Sequence, residues 1–306
     1  MRRRAFIEKG VGAAALALDL GGISAGASRS QSSRAKSGFK LKYAPSIGQF
    51  KNHAGEDITA QIQFARDEGF GAMFDNGIMN RPVAQQELIA EELDKRGMML
   101  GPFVLYADFK VKSFVTRDKE IRDMLLKRVK LGVETSKRVG CKWALVVPGR
   151  FDESLAWEYQ TANVVDNLKF FMDVCDPESL ILVLEPLNPK DHPGLFLTRI
   201  PQAYQICKAV NSPGCKILND IYHQQITEGN LIPNIEAAWE EHAAFHVGDN
   251  PGRKEPGTGE INYKNVFKFL HQKAYEGAVC MEHGHSLPGK EGERAVINAY
   301  RACDDF

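Results

Sequence analysis

The sequence predicts an α/β fold, a single-domain (β/α)8 TIM barrel, and three observations carry that expectation. First, short apolar runs alternate with helix-patterned segments about eight times along the 306-residue chain, the order that builds a parallel sheet. Second, four apolar runs in the second half each end in a metal-type ligand. Leu180–Leu184 ends in Glu185, Lys216–Asn219 in Asp220, Ala243–Phe245 in His246 and Ala278–Met281 in Glu282. The intervals of 35, 26 and 36 residues each match one strand-helix repeat, and ligands at successive strand ends meet at one point only if the sheet closes into a barrel. Third, no Gly-x-Gly-x-x-Gly follows the first strand, which sets aside a dinucleotide-binding fold. A barrel of this kind takes about 250 residues, so one domain accounts for the length.

The elements follow in order. Leu41–Ile47 reads as the first strand. Ile58–Glu68 is helical, with apolar residues at 58, 62 and 65, and Gly69 stops it. Gly71–Phe74 is a short second strand, and Val83–Arg96 a helix closed by Gly97. Met98–Leu105 is the third strand. Lys119–Val139 is a long helix ended by Gly140, and Trp143–Val147 is the fourth strand. Leu155–Val174 is helical and leads into the strand that ends at Glu185. Pro201–Val210, Ile232–Glu241, Tyr263–His271 and Arg294–Cys303 are the remaining helices, each paired with one of the ligand-bearing strands.

The N-terminus reads as an address. Arg2-Arg-Arg-Ala-Phe-Ile-Glu-Lys9 precedes the apolar run Gly10–Leu18 and the small residues Ala25-Gly26-Ala27. A basic start, a short apolar stretch and a small-residue cleavage site make a signal peptide, and paired arginines ahead of x-Phe-Ile resemble a twin-arginine export signal. The expected organisation is therefore a signal over residues 1–27, a serine-rich linker over 28–38 and the barrel over 39–306. The expected location is the bacterial periplasm, reached by the twin-arginine route. The apolar run is too short to span a bilayer and is interrupted by Asp19, so no stable membrane span is expected.

Lysine and arginine balance aspartate and glutamate at 39 each. Residues 1–27 hold four basic and two acidic residues, so cleavage leaves 35 against 37. Neither balance suits a nucleic-acid partner, which calls for a basic surface. The six cysteines form no Cys-x-x-Cys pair, which argues against a cysteine-histidine zinc site.

Each ligand also has a plainer reading. Glu185, in Leu184-Glu-Pro-Leu-Asn188, could be loop punctuation, and Asp220 could be a helix N-cap. His246 could be a core histidine. Yet it opens a loop, His246-Val-Gly-Asp-Asn-Pro-Gly-Arg253, that runs on through Gly257 and Gly259 to Tyr263. Its glycines permit close backbone approach to a substrate, and Arg253 offers a fixed fork of donors. In Met281-Glu-His-Gly-His285, Glu282 is the favoured ligand because His283 falls on the opposite strand face. Together, two Glu, one Asp and one His form a mixed oxygen and nitrogen set that suits one divalent ion, Mg²⁺, Mn²⁺ or Co²⁺.

The motifs Leu-Glu-Pro-Leu-Asn, Asp220-x-x-His223, His-Val-Gly-Asp-Asn-Pro-Gly-Arg-x-Glu-Pro-Gly-Thr-Gly-Glu-Ile-Asn-Tyr and Met-Glu resemble the hydroxypyruvate isomerase family, among the xylose-isomerase-like barrels. The resemblance covers roughly residues 40–303. It implies that Glu185, Asp220, His246 and Glu282 bind the metal and that Glu185 and Glu282 act as the catalytic acid-base pair. It also implies that His223 and Arg253 contact a small sugar or hydroxy-carbonyl substrate. One position departs: hydroxypyruvate isomerases usually carry Gln where this chain has His246, and ketose 3-epimerases carry His. The expected activity is thus isomerisation, with ketose 3-epimerisation and a non-catalytic sugar-binding barrel as alternatives. A metal-dependent nuclease on the same barrel would need more histidines and a basic groove. Barrels of this family often associate, so a homo-oligomer is an open expectation with no interface readable.

Overall fold

A computed structural model describes residues 38–306. The expected export signal, and the expected linker up to its last residue, lie outside the described residues. Seven parallel strands run in the order β1 (Lys42–Ala44), β9 (Ala278–Met281), β8 (His242–Val247), β7 (Cys215–Asp220), β6 (Ile181–Leu184), β5 (Trp143–Val147) and β4 (Phe103–Ala107). The short pair β2 (Ala72–Met73) and β3 (Met99–Leu100) fills the remaining gap. Ser46 bridges Phe74 in parallel, beside an Ile47 N–H to Phe74 carbonyl bond of 3.2 Å. On the other side Val104 N–H donates to the Asn76 carbonyl at 3.1 Å. The ring therefore closes.

The third barrel strand, expected as one run over Met98–Leu105, is broken into β3 and β4 at Gly101-Pro102 and extends to Ala107. Proline contributes no ladder N–H, and a Cβ on Gly101 would lie 2.7 Å from Cys280 Sγ and 3.1 Å from Phe74 Cβ. With β3 and β4 taken as one strand, the barrel has the eight predicted positions.

The helices pack outside. The longest are α4 (Lys119–Val139) and α5 (Trp157–Cys175). The Asp118 side chain caps α4 by accepting from the Glu120 and Ile121 N–H groups, and Gly140 ends it at φ 65°, a conformation that glycine adopts without strain. The last helix, α10 (Gly289–Asp304), begins at Gly289 rather than at Arg294. The expected helix over Ile232–Glu241 is a helix, α8 (Leu231–Ala237), followed by a 3₁₀ turn. All six cysteines are free thiols. Among the described residues no helix is long and apolar enough to cross a membrane.

Strand alternation separates two faces. Leu182, Leu184, Ile217, Phe245, Val279 and Met281 join the large cluster shared with the helices. Their neighbours Val183, Leu218 and Ala244 form an apolar cluster that contains no helix residue, and Ala278 and Cys280 belong to another. These fill the barrel interior. Glu185, Asp220, His246 and Glu282 each stand two positions beyond an interior residue, so each continues the inward-facing series.

Candidate metal centre

The four candidate ligands meet at the C-terminal mouth of the barrel, and the atoms they offer all lie within 4.8 Å of one another. His246 Nδ1 is the hub, 2.9 Å from Glu282 Oε2 and 3.4 Å from Glu185 Oε1. Asp220 is both N-cap and ligand candidate, so the two sequence readings hold together. Its Oδ1 accepts from the Tyr222 N–H at 2.9 Å, capping α7 (Ile221–Thr227), while Oδ2 faces the cluster. Arg253 spans the anionic pair, with Nη2 2.5 Å from Asp220 Oδ2 and 2.7 Å from Glu282 Oε2. Its guanidinium also lies over the Tyr222 ring at 4.8 Å. His223 Nε2 is 3.4 Å from Asp220 Oδ2. All six predicted site residues are thus brought together.

Burial and charge act against each other in this cluster. Burial pushes the Glu185 carboxyl up to about 7, and the nearby Glu282 charge adds to it. Burial acts on Glu282 in the same sense, but His246, Arg253 and Asn76 outweigh it and hold that carboxyl well below the usual range. Burial alone would lower His246, yet the facing carboxylates, Glu282 first, hold it well above the ordinary imidazole value. Desolvation lowers His223.

The donor set fits a divalent cation. Three carboxylates share a buried site with one fixed guanidinium, and Glu185 Oε1 is buried with no hydrogen-bond partner among the described residues. A buried carboxylate oxygen without a hydrogen bond, here with only His246 Nδ1 at 3.4 Å, is costly unless a cation takes it. Glu185, Asp220, His246 and Glu282 would hold the ion, with three oxygens and one imidazole nitrogen.

Residues that the sequence reading did not single out complete the site. Asn76, in the loop after β2, donates to Glu282 Oε1 at 2.6 Å; the strand-end rule applied to Gly71–Phe74 points instead to its neighbour Asp75. Asn188 Nδ2 lies 2.7 Å from His223 Nδ1 and 3.0 Å from Asp191 Oδ2. Tyr222 OH donates to the same Asp191 oxygen at 2.8 Å. At the rim, Phe109 stacks on His192 at 5.1 Å, and His192 meets His223 edge-on at 5.4 Å.

The glycine-rich loop after β8 is built around a buried carboxylate. Asp249 accepts from the N–H groups of Asn250, Gly257, Gly259 and Ile261 at 2.8–3.1 Å. A Cβ on Gly259 would lie 2.2 Å from the Asn250 carbonyl oxygen. That glycine serves the loop's own packing, rather than the approach to a substrate that the sequence suggested. His283 faces outward as expected, its Nε2 3.0 Å from Tyr300 OH on α10.

Comparison with known proteins agrees with this geometry. The family model described as xylose isomerase-like TIM barrel matches residues 62–303, and the chain belongs to that family. Hydroxypyruvate isomerase of Escherichia coli is 33% identical over 178 residues, covering 58% of this chain and 67% of the relative. The 2-oxo-tetronate isomerase of Cupriavidus necator is 30% identical over 122 residues, covering 40% and 47%. These alignments thus span about half to two thirds of the relatives' length. The crystal structure of 3-keto-D-glucoside 4-epimerase from E. coli superposes with a TM-score of 0.71 at 19% identity, covering 86% of this chain and all of that one; this likeness speaks to the fold. Within the family, the chain is an enzyme of the isomerase class.

Proposed function

We propose that the protein is a divalent-metal-dependent isomerase of a small hydroxy-carbonyl or sugar substrate, similar in reaction to hydroxypyruvate isomerases. The observation that carries this reading is the convergence of two glutamates on one imidazole nitrogen, His246 Nδ1, with the Glu185 side chain buried and that of Glu282 partly open to the mouth. When bound, Mg²⁺, Mn²⁺ or Co²⁺ supplies Lewis-acid polarisation of the substrate carbonyl.

The chain's own residues do the rest. Arg253 and His223 direct N–H donors at substrate oxygens and set the reacting carbons between the carboxylates. One of Glu185 and Glu282 takes a proton from the carbon beside the carbonyl. The other, or the same one, returns a proton to the former carbonyl carbon, and the substrate hydroxyl proton passes to the former carbonyl oxygen, so the carbonyl shifts by one carbon. Positioned acid-base groups of this kind contribute about 10²–10⁴-fold in rate. Asn76, bonded to Glu282 Oε1, fixes the orientation of that carboxylate.

His246 favours a second reading, in which the proton returns to the opposite face of the same carbon and the reaction is ketose epimerisation. Product analysis separates the two: an aldose-ketose pair marks isomerisation, an inverted centre marks epimerisation. The test of both is Glu282→Gln, which should abolish carbon-hydrogen exchange while circular dichroism stays native. Near-normal turnover in that variant would remove Glu282 from the mechanism.

We further propose export by the twin-arginine route, on the strength of Arg2-Arg-Arg-Ala-Phe-Ile and the small residues at 25–27. Replacing Arg2, Arg3 and Arg4 with lysine should leave the chain in the cytoplasmic fraction. Continued appearance in the periplasm would rule that route out.

A further inference from the structure

The hydrogen bonds around Asn188 determine which nitrogen of His223 carries its proton. Asn188 is fully buried. Its side-chain oxygen accepts from the Lys190 and Asp191 N–H groups at 3.1 and 2.9 Å. Those two donors fix the amide orientation, because a flipped amide would set NH₂ against N–H. The NH₂ group therefore faces the Asp191 carboxylate at 3.0 Å and His223 Nδ1 at 2.7 Å. The Asn188 main-chain N–H also points at that nitrogen, at 3.4 Å. Two donors aimed at Nδ1 require it to be an unprotonated acceptor, so the proton sits on Nε2. Nε2 faces the site, and its nearest anionic neighbour, Asp220 Oδ2, lies 3.4 Å away and already takes a shorter bond from Arg253. The N–H is thus only loosely engaged.

We infer that Asn188 is a positioning residue that holds His223 as the neutral Nε2–H tautomer, so that the site offers a substrate oxygen a hydrogen-bond donor rather than an acceptor or a full positive charge. The catalytic consequence rests on the proposed isomerase reading; the tautomer does not. A donor at this point suits a carbonyl or hydroxyl oxygen of a hydroxy-carbonyl compound, with the Arg253 guanidinium nearby on Asp220.

The test is ¹⁵N NMR of the full chain labelled at its eight histidines, with His223→Gln identifying the His223 signals. The wild type should show His223 Nδ1 unprotonated and Nε2 protonated. Asn188→Asp keeps the oxygen that holds the Lys190 and Asp191 N–H groups but replaces the donor with an acceptor, so His223 Nδ1 should gain a proton. Mn²⁺ affinity by calorimetry should stay within about threefold. kcat should fall by roughly 10- to 100-fold, the usual effect of removing a group that orients a functional histidine, with KM changing less. A wild-type spectrum with a proton on Nδ1 overturns the inference without any variant, and so does an Asn188→Asp spectrum with an unchanged Nδ1 signal. Absence of turnover in the wild type counts against the isomerase reading alone, and the tautomer is still decided by the spectra.

Discussion

Two carboxylates of the same type occupy different surroundings at one barrel mouth. The Glu185 side chain is 6% exposed and carries an unpartnered oxygen, whereas that of Glu282 is 25% exposed and bonded to Asn76 and Arg253. Glu185→Gln should therefore lose metal binding as well as turnover, measurable as loss of Mn²⁺ heat in calorimetry. Retention of full affinity would show that Glu185 is not a ligand. Asp249 makes a separate structural prediction. Asp249→Ala strips four backbone N–H groups of their acceptor, and unsatisfied buried groups cost about 1–3 kcal/mol each. Partial access of water reduces that sum, so a loss of about 2–4 kcal/mol in denaturant unfolding is expected. A loss below about 0.5 kcal/mol would contradict the hub role. The four candidate ligands could be placed together from the sequence because each continues the inward parity of an apolar strand. Asn76, Asn188 and Asp191 could not, because they stand on loops, where no periodicity tells which way a side chain turns.

Among the elements, the strands bearing ligands were read closely and the third strand was not. A run such as Met98–Leu105 looks continuous by hydrophobicity, and only Gly101-Pro102 hints at the break. Gly101→Ala would bring a methyl group against Cys280 Sγ and Phe74; overpacking of this kind costs about 1–3 kcal/mol, seen as a lowered Tm. An unchanged Tm would mean that the barrel interior has room there. β8 carries a titration remote from the metal cluster. His242 Nδ1 bonds the Ala238 carbonyl at 2.9 Å and Nε2 receives Asn219 Nδ2 at 3.2 Å, a pattern that needs the neutral ring. Burial pushes its pKa down to about 4. The folded chain therefore binds this proton less readily than the unfolded chain, whose histidines titrate near 6.5. The associated stability is complete above about pH 6.5 and is lost as pH falls toward 4. His242→Gln should flatten that part of the stability-pH curve, whatever it does to stability at pH 8. An identical slope in the variant would assign the acid loss to other groups.

For the whole molecule, closure of the sheet is what converts four distant sequence positions into one site, and the spacing of ligands by one strand-helix repeat made that closure readable. Substrate identity was less legible, because His246 is epimerase-like within loops that are isomerase-like. A bound ion should stabilise the folded barrel through mass action, by about 2.7 kcal/mol at a hundredfold excess over Kd. Tm should rise with Mn²⁺ in the wild type and return on chelation, with no rise in Glu185→Gln. The most direct measurement is incubation of the purified chain in D₂O, with Mg²⁺, Mn²⁺ or Co²⁺, against hydroxypyruvate and a panel of ketoses and keto-sugars. Metal-dependent deuterium uptake at the carbon beside the carbonyl, abolished by Glu185→Gln and by Glu282→Gln, is the predicted result. Uptake that persists in both variants, or none from any substrate in the wild type, would contradict a two-glutamate proton-transfer site.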